Sequence, residues 1–92
     1  GCNGVPDLVV EILSPGNTKK EMKFKFEVYQ EARISEYWVI DPQRQFMMCY
    51  SLNDKDIYVG SAPYTDEAIF ESKVLKGFQL PLSKIFTDSK FD

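Results

Sequence analysis

The sequence predicts an α/β fold, a mixed sheet in which a strand–helix–strand unit is followed by an antiparallel meander. Three observations predict it. Residues 7–13 and 36–41 are β-branched and aromatic runs, each stopped by a proline. Between them, apolar residues recur at helical spacing. Beyond Pro42 that period gives way to short strand-like runs separated by turn residues.

The first run, Asp7-Leu-Val-Val-Glu-Ile-Leu13, lies between Pro6 and the breaker Ser14-Pro-Gly-Asn17, and reads as a mostly buried strand with a sharp exit. Thr18 with Glu21 three residues on forms a capping box, with Asn17 as the competing N-cap. The helix runs from there to about Ala32. Met22, Phe26 and Tyr29 make its apolar stripe, which Phe24 and Val28 widen. Glu36-Tyr-Trp-Val-Ile-Asp41 is the second strand, so the two strands pair in parallel through a helical crossover. Residues 45–52, 56–61 and 68–72 then form the meander, separated by Asn53-Asp54, by Pro63 and followed by Lys76-Gly77. Residues 80–86 read as a short closing turn or helix, and residues 87–92 as a loose tail.

With 92 residues, the chain holds a single domain with one modest core. Its 43% hydrophobic and 14% aromatic content belongs to an ordered globular protein. No apolar run reaches the ~18 residues of a membrane span, and no signal peptide pattern is present, so a cytoplasmic protein is the expectation. The absence of histidine excludes a Ser-His-Asp triad, a Cys-His pair and the usual zinc or copper sites built by one chain. Cys2 and Cys49 are too few for a disulfide framework and read as reduced thiols. Any metal would be a hard ion such as magnesium or manganese held by carboxylates. The net charge of −3 argues against a generally DNA-binding surface.

One basic patch stands out: Lys19, Lys20, Lys23 and Lys25 against Glu21 and Glu27 leave the first half of the helix at +2. It reads equally as a contact for a phosphate backbone or as a solvated helix face. Glu11, inside an apolar run, is the oddest residue, because an isolated buried carboxylate costs several kcal/mol. Either its strand is an edge that turns Glu11 to water, or Glu11 sits in a polar pocket with a cation or a lysine. Lys25, on the helix that returns across the sheet, is the lysine in reach, although Glu21, Lys25 and Tyr29 at i, i+4 and i+8 also read as a helical ion pair beside a core tyrosine. Asp7 shares the Glu11 face, but four residues at strand rise separate their α-carbons by about 13 Å, too far for both to bind one ion. Asp41, the second strand's only carboxylate near that face, lies at its far end beside Pro42. Pro15-Gly-Asn17 has too few glycines for a phosphate loop, and the helix start is a generic anion site.

Pro6-Asp-Leu-Val-Val-Glu-Ile-Leu-Ser-Pro15, then Lys25 and Tyr29, then Glu36-Tyr-Trp-Val-Ile-Asp-Pro42, resembles the Uma family of bacterial restriction-endonuclease-like proteins in the PD-(D/E)XK nuclease superfamily. The resemblance extends more weakly to Leu80-Pro-Leu82 and Ile85-Phe86. It implies a restriction-endonuclease-like core and metal-dependent hydrolysis of DNA phosphodiesters. Glu11 matches the acidic position of the (D/E)XK strand, and Leu13 stands where that motif has its lysine, which the family supplies from the next helix at the position of Lys25. The resemblance makes Glu11, Lys25 and Asp7 the catalytic candidates. Glu11 and Asp7 would hold Mg2+ or Mn2+, which acidifies a water and screens the phosphate. Lys25 would orient that water or stabilise phosphate charge. Tyr29 and Lys23 are the substrate-binding candidates. Family members carry an N-terminal half with a further aspartate on the strand beside Glu11, so the sequence is expected to be the C-terminal half of such a fold, with an incomplete metal site and incomplete or absent activity by itself. An exposed first strand would favour a homo-oligomer. The alternative, from a different class, is a non-catalytic α/β dimerisation or partner-binding domain in which Glu11 and Lys25 form a structural ion pair.

Overall fold

The structure, a computed structural model, describes residues 6–88. β1 (Leu8–Ile12) leads through α1 (Lys19–Glu31) to β2 (Glu36–Asp41), and β3 (Phe46–Leu52) and β4 (Tyr58–Gly60) follow. β5 (Ile69–Glu71), β6 (Gln79–Pro81) and α2 (Leu82–Asp88) complete the chain. The four-stranded sheet has the order β1-β2-β3-β4, with β1 and β2 parallel and the other pairs antiparallel. This is the mixed sheet that the sequence predicts. Two details differ. The run at residues 68–72 does not continue the meander, since its strand β5 pairs with β6 in a separate two-stranded sheet. β6 itself falls in the segment expected to hold only a turn or helix, and α2 follows it directly. The cause is Phe70, which inserts edge-on against Trp38 and Tyr64 beneath the larger sheet, so that β5 covers the face rather than extending the edge.

Thr18 wins the contest for the N-cap of α1: its hydroxyl accepts the Glu21 N–H at 3.0 Å. Asn17 instead closes the preceding turn, its Oδ1 accepting the Ser14 N–H at 2.7 Å. Alternation along β2 divides the molecule into two layers. Trp38 and Ile40 face Met47, Cys49, Phe70, Leu82 and Phe86 in the core beneath β5, β6 and α2. Tyr37 faces α1 across an aromatic cluster, where Phe26 meets Tyr50 and Tyr58 edge-on and Tyr29 meets Tyr37 with ring centres 5.0 Å apart.

α1 is therefore held by a narrow stripe. Phe24 and Val28, expected to widen it, are 66% and 41% exposed. β1 likewise departs from a mostly buried strand. It is an edge strand among the described residues, with Val10 and Ile12 exposed. Both departures have one origin: α1 packs over the β2–β4 side of the sheet, and β1 meets it only through longer side chains. Cys2 and the last four residues of the expected tail lie outside the described residues.

Candidate functional site

Glu11 pairs in register with Val39 of β2, which turns its side chain to the α1 face. Lys25, two turns into α1, comes down onto it. The Lys25 Nζ lies 3.2 and 3.1 Å from the two Glu11 carboxylate oxygens. Glu21, one helical turn earlier, stands 3.7 Å from the same ammonium. Glu21 spends its carboxylate there, so the capping box contributes its Thr18 half. The hydrogen bond to Glu11, with the nearby Glu11 and Glu21 charges, raises the Lys25 pKa above its ordinary 10.5. The ammonium is thus the form present at neutral pH. The Glu11 side chain is 20% exposed, so the pair is open to an approaching ligand.

Both alternatives for Glu11 prove partly true: its strand is an edge, yet the carboxylate is half-buried and paired with lysine. The other candidates stand apart. Asp7 lies just before β1, exposed, with its backbone oxygen accepting the Glu36 N–H at 3.1 Å. The extended geometry of β1 keeps it about 13 Å from Glu11 along the strand. Asp41 is buried at the β2–β3 turn, where its Oδ1 accepts the N–H groups of Gln43 and Arg44 at 3.1 Å each. It is a turn acceptor and not a partner for Glu11. Tyr29 packs edge-on against Tyr37 with its ring, one helical turn beyond Lys25. Lys23 is exposed about 200° round the helix from Lys25 and points away from the pair.

A carboxylate oxygen suits a magnesium-type ion, but such an ion needs several oxygen ligands. Among the described residues no group of three or more acidic or cysteine side chains is gathered in one place. The described residues of one copy therefore do not gather a full ligand set. At the carboxyl end of β1, a cleft of about 440 Å³ is lined by Leu13, Asn17, Thr18, Lys19, Asp41 and Arg44 among others. It opens at the N-terminus of α1, a position that favours anions.

Two buried polar groups escaped the sequence reading. Glu36 is 1% exposed and accepts hydrogen bonds from Trp38 Nε1, Ser72 Oγ and the Lys73 N–H at 2.7–2.8 Å. Its signal, a carboxylate heading an apolar strand, was the same one that singled out Glu11. The Tyr37 hydroxyl is buried in the α1 layer with no hydrogen-bond partner among the described residues. Burial, then the charge of Glu11, raises its pKa well above 10. Cys49, a free buried cysteine on the opposite face, has its thiol pushed up to about 11 by burial first and then by Glu36, which suits a packing role.

Residues 2–83 match the family described as "Putative restriction endonuclease", Uma2. The chain belongs to the Uma2 family. A crystal structure of a putative nuclease of the DUF820 group from Anabaena variabilis has the same fold, with a TM-score of 0.70 at 19% identity. The likeness covers 90% of this Uma2 chain and 45% of that one, so the chain spans under half the length of its structural relative. No curated protein matches it. Among the described residues no helix is long and apolar enough to cross a membrane.

Proposed function

We propose that this Uma2 chain carries part of the active site of a metal-dependent nuclease that hydrolyses DNA phosphodiesters. The observation that carries the reading is the Glu11–Lys25 contact, a carboxylate and an ammonium held together on adjoining elements and partly open to solvent. Family membership and the fold shared with a putative nuclease support it. Lys25 donates to phosphate oxygens from a preorganised ammonium, the kind of group that stabilises charge developing in phosphoryl transfer. Glu11 positions that ammonium and offers an oxygen to Mg2+ or Mn2+. Tyr29, on the same face of α1 as Lys25, contacts substrate, and Lys19 and Arg44 line a cleft at the start of α1 for the phosphate backbone. Asp7, about 13 Å along the strand, cannot share an ion with Glu11 within one copy, and Lys23 faces away from the pair.

A second reading rests on the same contact: with both Glu11 oxygens on Lys25, the pair serves as a structural bridge in a non-catalytic binding domain. Plasmid cleavage separates them. Any nicking of supercoiled DNA in Mn2+ should be seen with wild type and be lost in both Glu11→Gln and Lys25→Met while they stay folded. Equal cleavage by all three would remove the catalytic reading.

A further inference from the structure

Resting on the reading of Lys25 as a phosphate donor, we propose that Tyr37 is a positioning residue for Glu11, its hydroxyl taking a Glu11 oxygen when Lys25 turns from that carboxylate to substrate.

The Tyr37 hydroxyl is the buried side-chain polar group that has no partner among the described residues. Tyr37 is 1% exposed, so the described residues themselves enclose it, and its isolation does not depend on what lies beyond them. The surrounding layer is able to satisfy a phenol. In the same aromatic cluster the Tyr58 hydroxyl donates to the Ile34 carbonyl at 2.8 Å. Phenylalanine in place of Tyr37 would keep the ring contacts with Tyr29, Tyr50 and Tyr58 without burying an unpaired donor. A hydroxyl that lowers the stability of the resting state and adds nothing to its packing calls for a use in another state.

The register of β1 and β2 supplies that use. Glu11 stands opposite Val39, and Tyr37 stands opposite Val9, so Glu11 and Tyr37 are diagonal neighbours across the parallel pair, both on the α1 face. Diagonal neighbours stand about 7–8 Å apart at the backbone, a gap that an aromatic and a long side chain span together. The Tyr37 ring is held edge-on by Tyr29 and stacked on Tyr50, with centres 5.0 and 5.8 Å away. The phenol is therefore fixed, and the glutamate with its rotatable stem is the partner that moves. Burial, then the negative charge of Glu11, keeps the proton on the hydroxyl, so Tyr37 is a donor at neutral pH.

In the resting arrangement both Glu11 oxygens lie on the Lys25 ammonium. Moving that ammonium to a phosphate oxygen would leave a carboxylate only 20% exposed without its donor, a costly state. With Tyr37 beside it the two unsatisfied groups meet: the hydroxyl gains an acceptor as the carboxylate loses a donor. Lys25 is thereby freed for substrate while Glu11 stays ionised and aimed.

The test empties the Lys25 position without substrate or metal. Wild type, Lys25→Met and the double variant Glu11→Met/Lys25→Met carry tyrosine labelled with 13C at Cζ, and the Tyr37 signal is assigned by its loss in Tyr37→Phe. In Lys25→Met that signal should shift toward its phenolate position as the hydroxyl begins to donate to Glu11. In the double variant it should return to the wild-type position. Lys25→Ala repeats the comparison with a smaller side chain, and urea unfolding confirms that each protein is folded. The same unfolding curves give a second readout: Tyr37→Phe should raise the midpoint in the wild-type background and lower it in the Lys25→Met background. An unmoved Tyr37 signal in folded Lys25→Met and Lys25→Ala, or the same shift without Glu11, would overturn the inference and leave the proposed function standing. A shifted signal in a protein that cleaves no plasmid would strike the proposed function and leave Tyr37 as the second donor to Glu11.

Discussion

Lys25 Nζ sits nearly equidistant from the two oxygens of Glu11, at 3.2 and 3.1 Å, across the gap between α1 and the edge strand β1. Fourteen residues of chain separate them, and the crossover of the strand–helix–strand unit closes that separation. The pair is the meeting point of the sequence's oddest carboxylate and its one basic patch.

That contact fixes the charge state of Lys25. Its pKa is raised by the Glu11 hydrogen bond above all, so the folded value lies above the unfolded 10.5. The stabilisation from this group is complete below the unfolded value and is lost as pH rises through the higher folded one. An NMR titration of the Lys25 side chain should show its midpoint above 10.5 in wild type and lower in Glu11→Gln. A midpoint below 10.5 in wild type would show that the contact is not maintained in solution.

Glu36 should matter more for stability than Glu11. Its carboxylate is buried and accepts from Trp38, Ser72 and Lys73, joining β2 to the segment after β5. In Glu36→Gln one oxygen becomes an NH2 group facing a donor, and the buried donor is left unpaired. A loss of about 2–4 kcal/mol in urea unfolding is expected. Glu71→Gln, whose hydrogen bond to Gln79 is exposed, should stay within about 0.5 kcal/mol of wild type.

The Tyr37 hydroxyl gives the opposite sign. It is buried without a partner among the described residues, while its ring stacks on Tyr50 and meets Tyr29 edge-on. Tyr37→Phe keeps the ring and removes the unsatisfied group, so urea unfolding should show a gain of about 1 kcal/mol. A loss of similar size would mean that the hydroxyl has a partner in solution.

Much of this architecture was legible in the sequence, because β1, α1 and β2 announce themselves by local chemistry: β-branched runs, a cap at Thr18, a stop at Pro42. The meeting of Glu11 with Lys25 followed from topology, since a helix that crosses back over parallel strands brings its inner face to them. What local pattern does not encode is which sheet a short strand joins. β5 has three residues, and its place is decided by Phe70 fitting against Trp38, a contact across 32 positions. The exposure of Phe24 was hidden for a similar reason: spacing defines a helix face, while the number of strands beneath it decides how much of that face is covered. Glu36 was passed over because its partners Ser72 and Lys73 lie at the far end of the chain.

The central claim is that Glu11 is a metal ligand and not only the counter-ion of Lys25. Calorimetric titration of Mn2+ into wild type and Glu11→Gln tests it most directly. The account predicts saturable binding by wild type at millimolar metal or below, and its loss in a Glu11→Gln variant whose urea midpoint is little changed. Equal binding by both proteins, or none by wild type, would contradict it.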